Sequence, residues 1–273
     1  MRKRKQRGKF NFVLLLAFSF CFVFMATAYS ILSEKIVVTG NARITPTVSG
    51  EAAEYIESVV GNEPFYSKNN GVVNFKGDDD TSVYNYIEFP ENGFLWRILS
   101  IDASGNIKII LEKNEGLYSP FMTNGVTWDW ATSIVLQNLK IWYQDNLSNY
   151  SDDIVQNPEW LITEASKNRP TSVTVIGSFT DSPIGLIRND EVLNSSGSGP
   201  SSNGKEVPSW ISGDYQWTMT AVDRNIQAWK MNNSKFMNSS AYDSTQFRPV
   251  IYLKFNVSIS SGNGTFDYPF VVS

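Results

Sequence analysis

From Phe10 to Ser33 the chain carries no charged residue, and Arg2, Lys3, Arg4, Lys5, Arg7 and Lys9 stand directly before that run. An apolar stretch of about 20 residues crosses the hydrocarbon layer as a helix, and a basic flank is held on the cytoplasmic face. The pattern predicts residues 1–33 as a membrane anchor or a secretory signal, with everything after them on the outer side. Ala26-Thr27-Ala28 has the small-x-small form of a cleavage site. If the leader is a signal, the cut falls between Ala28 and Tyr29.

Beyond Ser33 the texture shifts to short alternating and periodic segments. Ile36, Val37 and Val38 favour a strand, punctuated by Gly40 and Pro46. Residues 50–60 read as a short helix, with Ala52, Ile56, Val59 and Val60 on one face and Gly61 as its stop. Residues 34–70 are therefore read as a stalk or linker containing one helix.

From residue 71 strands dominate. GVVNF, VYNYIEF and FLWRILSI (Phe94 to Ile101) are followed by IKIILE, and the turn Asp102 to Asn106 predicts a hairpin between the last two. Trp130, Ile134, Leu136, Leu139 and Tyr143 recur at helical spacing within 128–147, with Asp129 placed to cap the start. A second short helix is expected over 152–167, strand character over 173–187, and a helical turn over Asn189 to Val192. The polar, low-complexity stretch 194–206 is a loop. Apolar and aromatic runs then return at 210–222, at 226–231, and from Phe247 to the closing FDYPFVV. The fold class predicted for 71–273 is one α+β domain of mixed antiparallel sheets with a few short helices.

Charge sharpens this picture. The chain has 23 Lys+Arg and 27 Asp+Glu; without the six basic residues of the leader, 17 stand against 27, a net of −10. An acidic exterior repels phosphate backbones, which argues against nucleic acid as a partner. Eight tryptophans and an aromatic content of 14% predict a substantial core rather than disorder. The one cysteine, Cys21, lies in the apolar run, and there is no histidine. The exterior part therefore has neither disulfide nor cysteine nucleophile. Ser-His-Asp catalysis and His-ligated metal sites are excluded, and no cofactor or metal is expected.

Four groups are candidates for function. Trp128, Trp130, Trp217 and Trp229 are the ligand-binding candidates, because exposed rings stack on sugars or anchor partners; Trp229, in the polar context NIQAWKMNN, is the one expected at the surface. Asp78-Asp79-Asp80 supply oxygen ligands but lack the alternate-residue spacing of calcium loops. Arg248 is expected to pair with an interior carboxylate such as Asp214 or Asp223. Glu112 with Glu115, or Asp181 with Asp190, are the carboxylate pairs available for acid–base work on a glycan.

Three blocks carry a resemblance. NYIEFPENGFLWRILSI (Asn85 to Ile101), the IGLI segment (Ile184 to Ile187) with the later WTMTAV, and FRPVIYLKFNVSISSGNGTFDYPFVV (Phe247 to Val272) together resemble a family of surface-exposed domains of unknown function, common in Gram-positive bacteria and often fused to a secretion signal or anchor. More loosely, the Trp-rich strand and the terminal FRPV strand are similar to C-type-lectin-like folds of the sulfatase-modifying and phage-tropism type. That likeness implies a fold and little function. The sulfatase-modifying chemistry needs cysteines that the exterior part lacks, and the tripeptide motifs of calcium-dependent sugar binding are absent. The reading that follows is a secreted or outward-facing membrane-anchored protein that binds a surface protein or a cell-wall glycan without catalysis. A wall-active glycoside hydrolase using a carboxylate pair is the alternative, and a purely structural surface component is a third.

Overall fold

The computed structural model describes residues 52–61, 66–76, 84–114, 116–122, 129–195, 207–212, 215–222, 226–232 and 235–273. The chain divides into two units, Met1–Ile44 and Thr45–Ser273, and every described residue lies in the second. The leader with Ala28 and Tyr29, the expected strand near Ile36, Asp78 to Asp80, Glu115, Trp128, Asp214 and Asp223 lie outside the described residues.

The described part is mostly β-sheet with a few short helices. α1 (Ala52–Val60) is followed by β1 (Tyr66–Asn69), β2 (Val72–Phe75), β3 (Tyr86–Phe89), β4 (Phe94–Ile101), β5 (Ile107–Leu111) and β6 (Tyr118–Pro120). α2 (Ile134–Asn146) and a 3-10 turn precede β7 (Trp160–Ala165), β8 (Val173–Phe179), β9 (Ile184–Gly185) and α3 (Asn189–Asn194). α4 (Ser209–Ser212) leads into β10 (Gln216–Val222), β11 (Gln227–Asn232), β12 (Lys235–Ser240), β13 (Ser244–Gln246), β14 (Val250–Leu253), β15 (Ile259–Ser261) and β16 (Phe270–Val272).

Two sheets result. The first runs β15-β16-β3-β4-β5-β14-β9, with β2 also on β4 and β1 on β2. The second runs β12-β11-β10-β13-β6, with β7 also on β10 and β8 on β7. Most pairs are antiparallel, but β16–β3, β10–β13 and β10–β7 are parallel. This mixture of directions is consistent with an α+β or mostly-β class. It arises because strands distant in sequence return to the same sheet through long connections.

The expected hairpin forms, with Ile101 opposite Ile107. Asp102 Oδ1 accepts from the amides of Ser104 and Asn106, and Gly105 takes a positive φ of 86° that a side chain would resist. β5 is buried along its whole length, so the sheet is covered on both faces there.

The short helix expected over 50–60 forms as α1, and Ala52, Ile56 and Val60 of its expected apolar face join the main core, with Ala52 N donating to Val257 O at 3.0 Å. Its apolar face is the reason, since a helix that presents such a stripe buries it against the nearest sheet. Within 152–167 the expected helix is replaced by turns and β7, where Trp160, Ile162 and Thr163 favour the extended form. α2 begins at Ile134 with Ser133 as its cap, whose hydroxyl accepts from Leu136 N. Asp129 instead closes a tight turn, accepting from Ala131 N and Thr132 Oγ1.

Candidate binding cleft

Four adjacent strands of the second sheet, β11, β10, β13 and β6, build an open cleft of about 440 Å³ lined by Tyr118, Tyr215, Lys230, Ser244, Thr245 and Gln246. Gln246 stands opposite Tyr118 on one side and Gln216 on the other, while Lys230 stands opposite Trp217. Tyr215, one residue before β10, completes the wall.

Both tyrosines are open to solvent, Tyr118 at 58% and Tyr215 at 46%. Gln246 Nε2 donates to the Tyr118 hydroxyl and holds that ring. Tyr215 has a φ of +42°, a left-handed conformation that a residue with a bulky side chain adopts at a cost. Its ring lies under Lys230, whose Nζ is 4.8 Å from the ring centre. The same ammonium is 6.0 Å from the centre of the Trp217 ring. Cation–π attraction therefore couples the exposed ring, the lysine and the buried tryptophan.

Of the four tryptophans expected to bind a ligand, the three described ones are buried. Trp130, Trp217 and Trp229 are 0%, 1% and 2% exposed. Trp130 and Trp217 pack on Phe121 with ring centres 5.5 and 5.8 Å away, and Trp217 Nε1 donates to Ser119 O at 2.9 Å. The expectation that Trp229 reaches the surface is corrected: its Nε1 donates to Ala165 O, and its ring meets Phe236 edge-on. Alternation along β11 is the reason. Trp229 and Met231 fall on the buried face, while Lys230 and Asn232 take the other, so polar neighbours in sequence do not expose the ring. The structure brings Trp217 beneath the cleft and leaves Trp130 and Trp229 in the core.

Tyr118, Tyr215, Lys230 and Gln246 escaped the sequence reading. Lys230 adjoins Trp229 and could have been found by applying strand alternation to that segment. Tyr118 and Tyr215 sit at strand boundaries, where a pattern of faces gives no signal.

Two buried ionic clusters lie elsewhere. Arg248 Nε donates to Leu111 O at 2.6 Å and its Nη1 to Ile211 O at 3.1 Å, with Glu112 Oε2 3.9 Å from Nη2. The interior carboxylate beside it among the described residues is thus Glu112. Burial, with Arg97 nearby and only partly offset by Glu112, pushes the Arg248 pKa down to about 10. Arg97 lies 3.7 Å from Glu112 and donates to Asn85 and Tyr86, with its guanidinium carbon 4.0 Å from the Tyr86 ring centre and 4.4 Å from that of Trp210.

The second cluster holds Lys108, Glu191, Arg188 and Asp190. Lys108 pairs with Glu191, which also lies 3.2 Å from Arg188 Nη1, and Arg188 chelates Asp190. Of the carboxylates considered for acid–base work, Glu112 faces two arginines, Asp190 faces Arg188, and Asp181 lies 3.3 Å from Lys140.

Among the described residues no group of three His, Cys, Asp or Glu side chains is placed to hold a metal, and no helix is long and apolar enough to cross a membrane. Comparisons with protein-family models, with curated proteins and with solved structures return no match.

Proposed function

We propose that this chain is an outward-facing bacterial surface protein, secreted or held by its leader, whose globular part binds a glycan in the Tyr118–Tyr215 cleft without chemical conversion. One observation carries the reading: two exposed tyrosines flank an open cleft whose other lining residues are Lys230, Ser244, Gln246 and the buried Thr245. Tyrosine gives large, rigid, amphipathic contact at low entropic cost. A shallow site of rings and hydrogen-bonding groups suits the alternating apolar faces and hydroxyls of a sugar chain.

Export is supported by the charge pattern of residues 1–33 and by the resemblance of the three sequence blocks to surface-exposed domains. A C-type-lectin-like arrangement belongs to the same proposal and rests on that resemblance alone. The hydrolase alternative has less support, because among the described residues no carboxylate lines the cleft, and Glu112, Asp181 and Asp190 lie against cations.

Co-sedimentation of the full-length chain with insoluble cell-wall glycan tests the reading. Binding by the wild type, with a loss of about tenfold or more in Tyr118→Ala/Tyr215→Ala at unchanged thermal stability, is the expected result. Absence of wild-type binding, or full binding by the double variant, counts against it. Protease digestion of intact cells tests export: the globular part should be cut while cytoplasmic proteins survive.

A further inference from the structure

Among the described residues that line it, the cleft carries one charge, and that charge narrows what it accepts. This inference rests on the glycan reading above and goes on to the class of sugar. The six lining residues include one cation, Lys230, and no carboxylate. Lys68, Lys108 and Lys140 each sit against an acidic side chain. Lys230 has no carboxylate within ion-pair distance among the described residues and is held instead over the Tyr215 and Trp217 rings. A ring face orients an ammonium without neutralising it, so the N–H donors directed away from the rings remain available to an anion. The chain beyond its leader has a net charge of −10, so a site built on a lysine runs against its overall charge.

The neighbouring groups complement a sugar ring. Gln246 spends an N–H on the Tyr118 hydroxyl, which leaves its carbonyl oxygen to accept from a sugar hydroxyl. Ser244, exposed on β13, both donates and accepts. We propose that the cleft takes a saccharide bearing a carboxylate, such as a uronic acid, with its ring against a tyrosine and its carboxylate on the Lys230 ammonium.

Calorimetric titration of the full-length chain in mild detergent tests this with three probes: a galacturonic acid tetrasaccharide, its neutral methyl ester, and a glutamate-rich peptide. The acid should bind about tenfold more tightly than the ester, and Lys230→Met should bring the acid down to the ester's affinity while Lys230→Arg retains most of it. Raising salt from roughly 50 to 500 mM should weaken the acid and leave the ester unchanged. Equal binding of acid and ester, with no effect of Lys230→Met, overturns the carboxylate assignment and leaves the cleft reading intact. Tighter binding of the peptide than of the saccharide overturns it in favour of an acidic protein segment. If neither sugar binds and Tyr118→Ala/Tyr215→Ala retains wall adhesion, the cleft reading fails and this assignment fails with it. Lys230→Gln serves as the second neutral variant should Lys230→Met not fold.

Discussion

Lys108 on β5 and Glu191 on α3, 83 residues apart in sequence, meet as a buried ion pair. Glu191 also accepts from the Arg188 amide at 2.9 Å, so one carboxylate both starts α3 and fixes it to the first sheet. Burial opposes the charge on each partner. Lys108 and Arg188 outweigh that on Glu191 and hold its carboxyl below the usual range. Glu191 and Tyr252 outweigh it on Lys108 and push its pKa up.

Glu191→Gln leaves the Lys108 ammonium buried without its counter-charge and should cost about 3–5 kcal/mol of stability at neutral pH, read by urea denaturation. Glu191→Leu with Lys108→Met should recover most of it, since the buried pair itself contributes little over an apolar filling. A single-variant loss below about 1 kcal/mol would show that the pair is dispensable.

The same pair sets a pH dependence. A carboxylate with a depressed folded pKa contributes stability above its unfolded value, about 4.3, and loses it as pH falls through the lower folded value. Lys108, raised in the fold, contributes below about 10.4 and loses that contribution as pH climbs through its higher folded value. Wild-type stability should therefore fall more steeply than that of Glu191→Gln both below about pH 4.3 and above about pH 10.4. Parallel curves in urea titrations across both ranges would remove the pair as a source of pH sensitivity.

Tyr215→Gly separates stability from binding. Glycine adopts the left-handed backbone freely, a relief on the order of 1 kcal/mol that offsets the lost cation–π contact of similar size. The melting temperature should hold or rise while wall adhesion falls. A large drop in melting temperature would mean that the ring serves the fold rather than a ligand.

Trp229→Ala should destabilise by about 3–5 kcal/mol, the cost of emptying a buried indole site. Adhesion normalised to folded protein should stay unchanged, because the ring lies in the core and not in the cleft. A selective loss of adhesion in a stably folded variant would return Trp229 to the binding surface.

Gly185→Ala is a test of sheet packing. An added Cβ would lie 2.7 Å from the Trp160 ring, which presses β7 of one sheet onto β9 of the other. A loss of about 1–3 kcal/mol is expected from the forced displacement. Retained stability would show that Trp160 can move aside.

Legibility in the sequence followed how local the cause of each element is. Phe94 to Ile101 and Ile107 to Leu111 were readable because apolar runs flank a turn whose Asp and Gly supply their own geometry. The α2 helix was readable from its spacing, though not its cap, since Asp129 and Ser133 compete for the same chemistry. Trp160 to Ala165 was misread because pairing with β8 and β10 decides that segment, and those partners lie elsewhere in the chain. The cleft was illegible for the same reason: Tyr118, Tyr215, Lys230 and Gln246 lie on segments far apart in the chain that meet only in the assembled sheet.

α1 closes against the far end of the chain. Ala52 N is bonded to Val257 O, and Tyr55 reaches Gly262 O through its hydroxyl and Phe270 through its ring. A pull on the polypeptide ahead of Ala52 would thus be delivered first to the seam between this helix and the β15–β16 region, so shear across that seam, rather than rupture of the sheet interiors, would govern how the globule yields under tension.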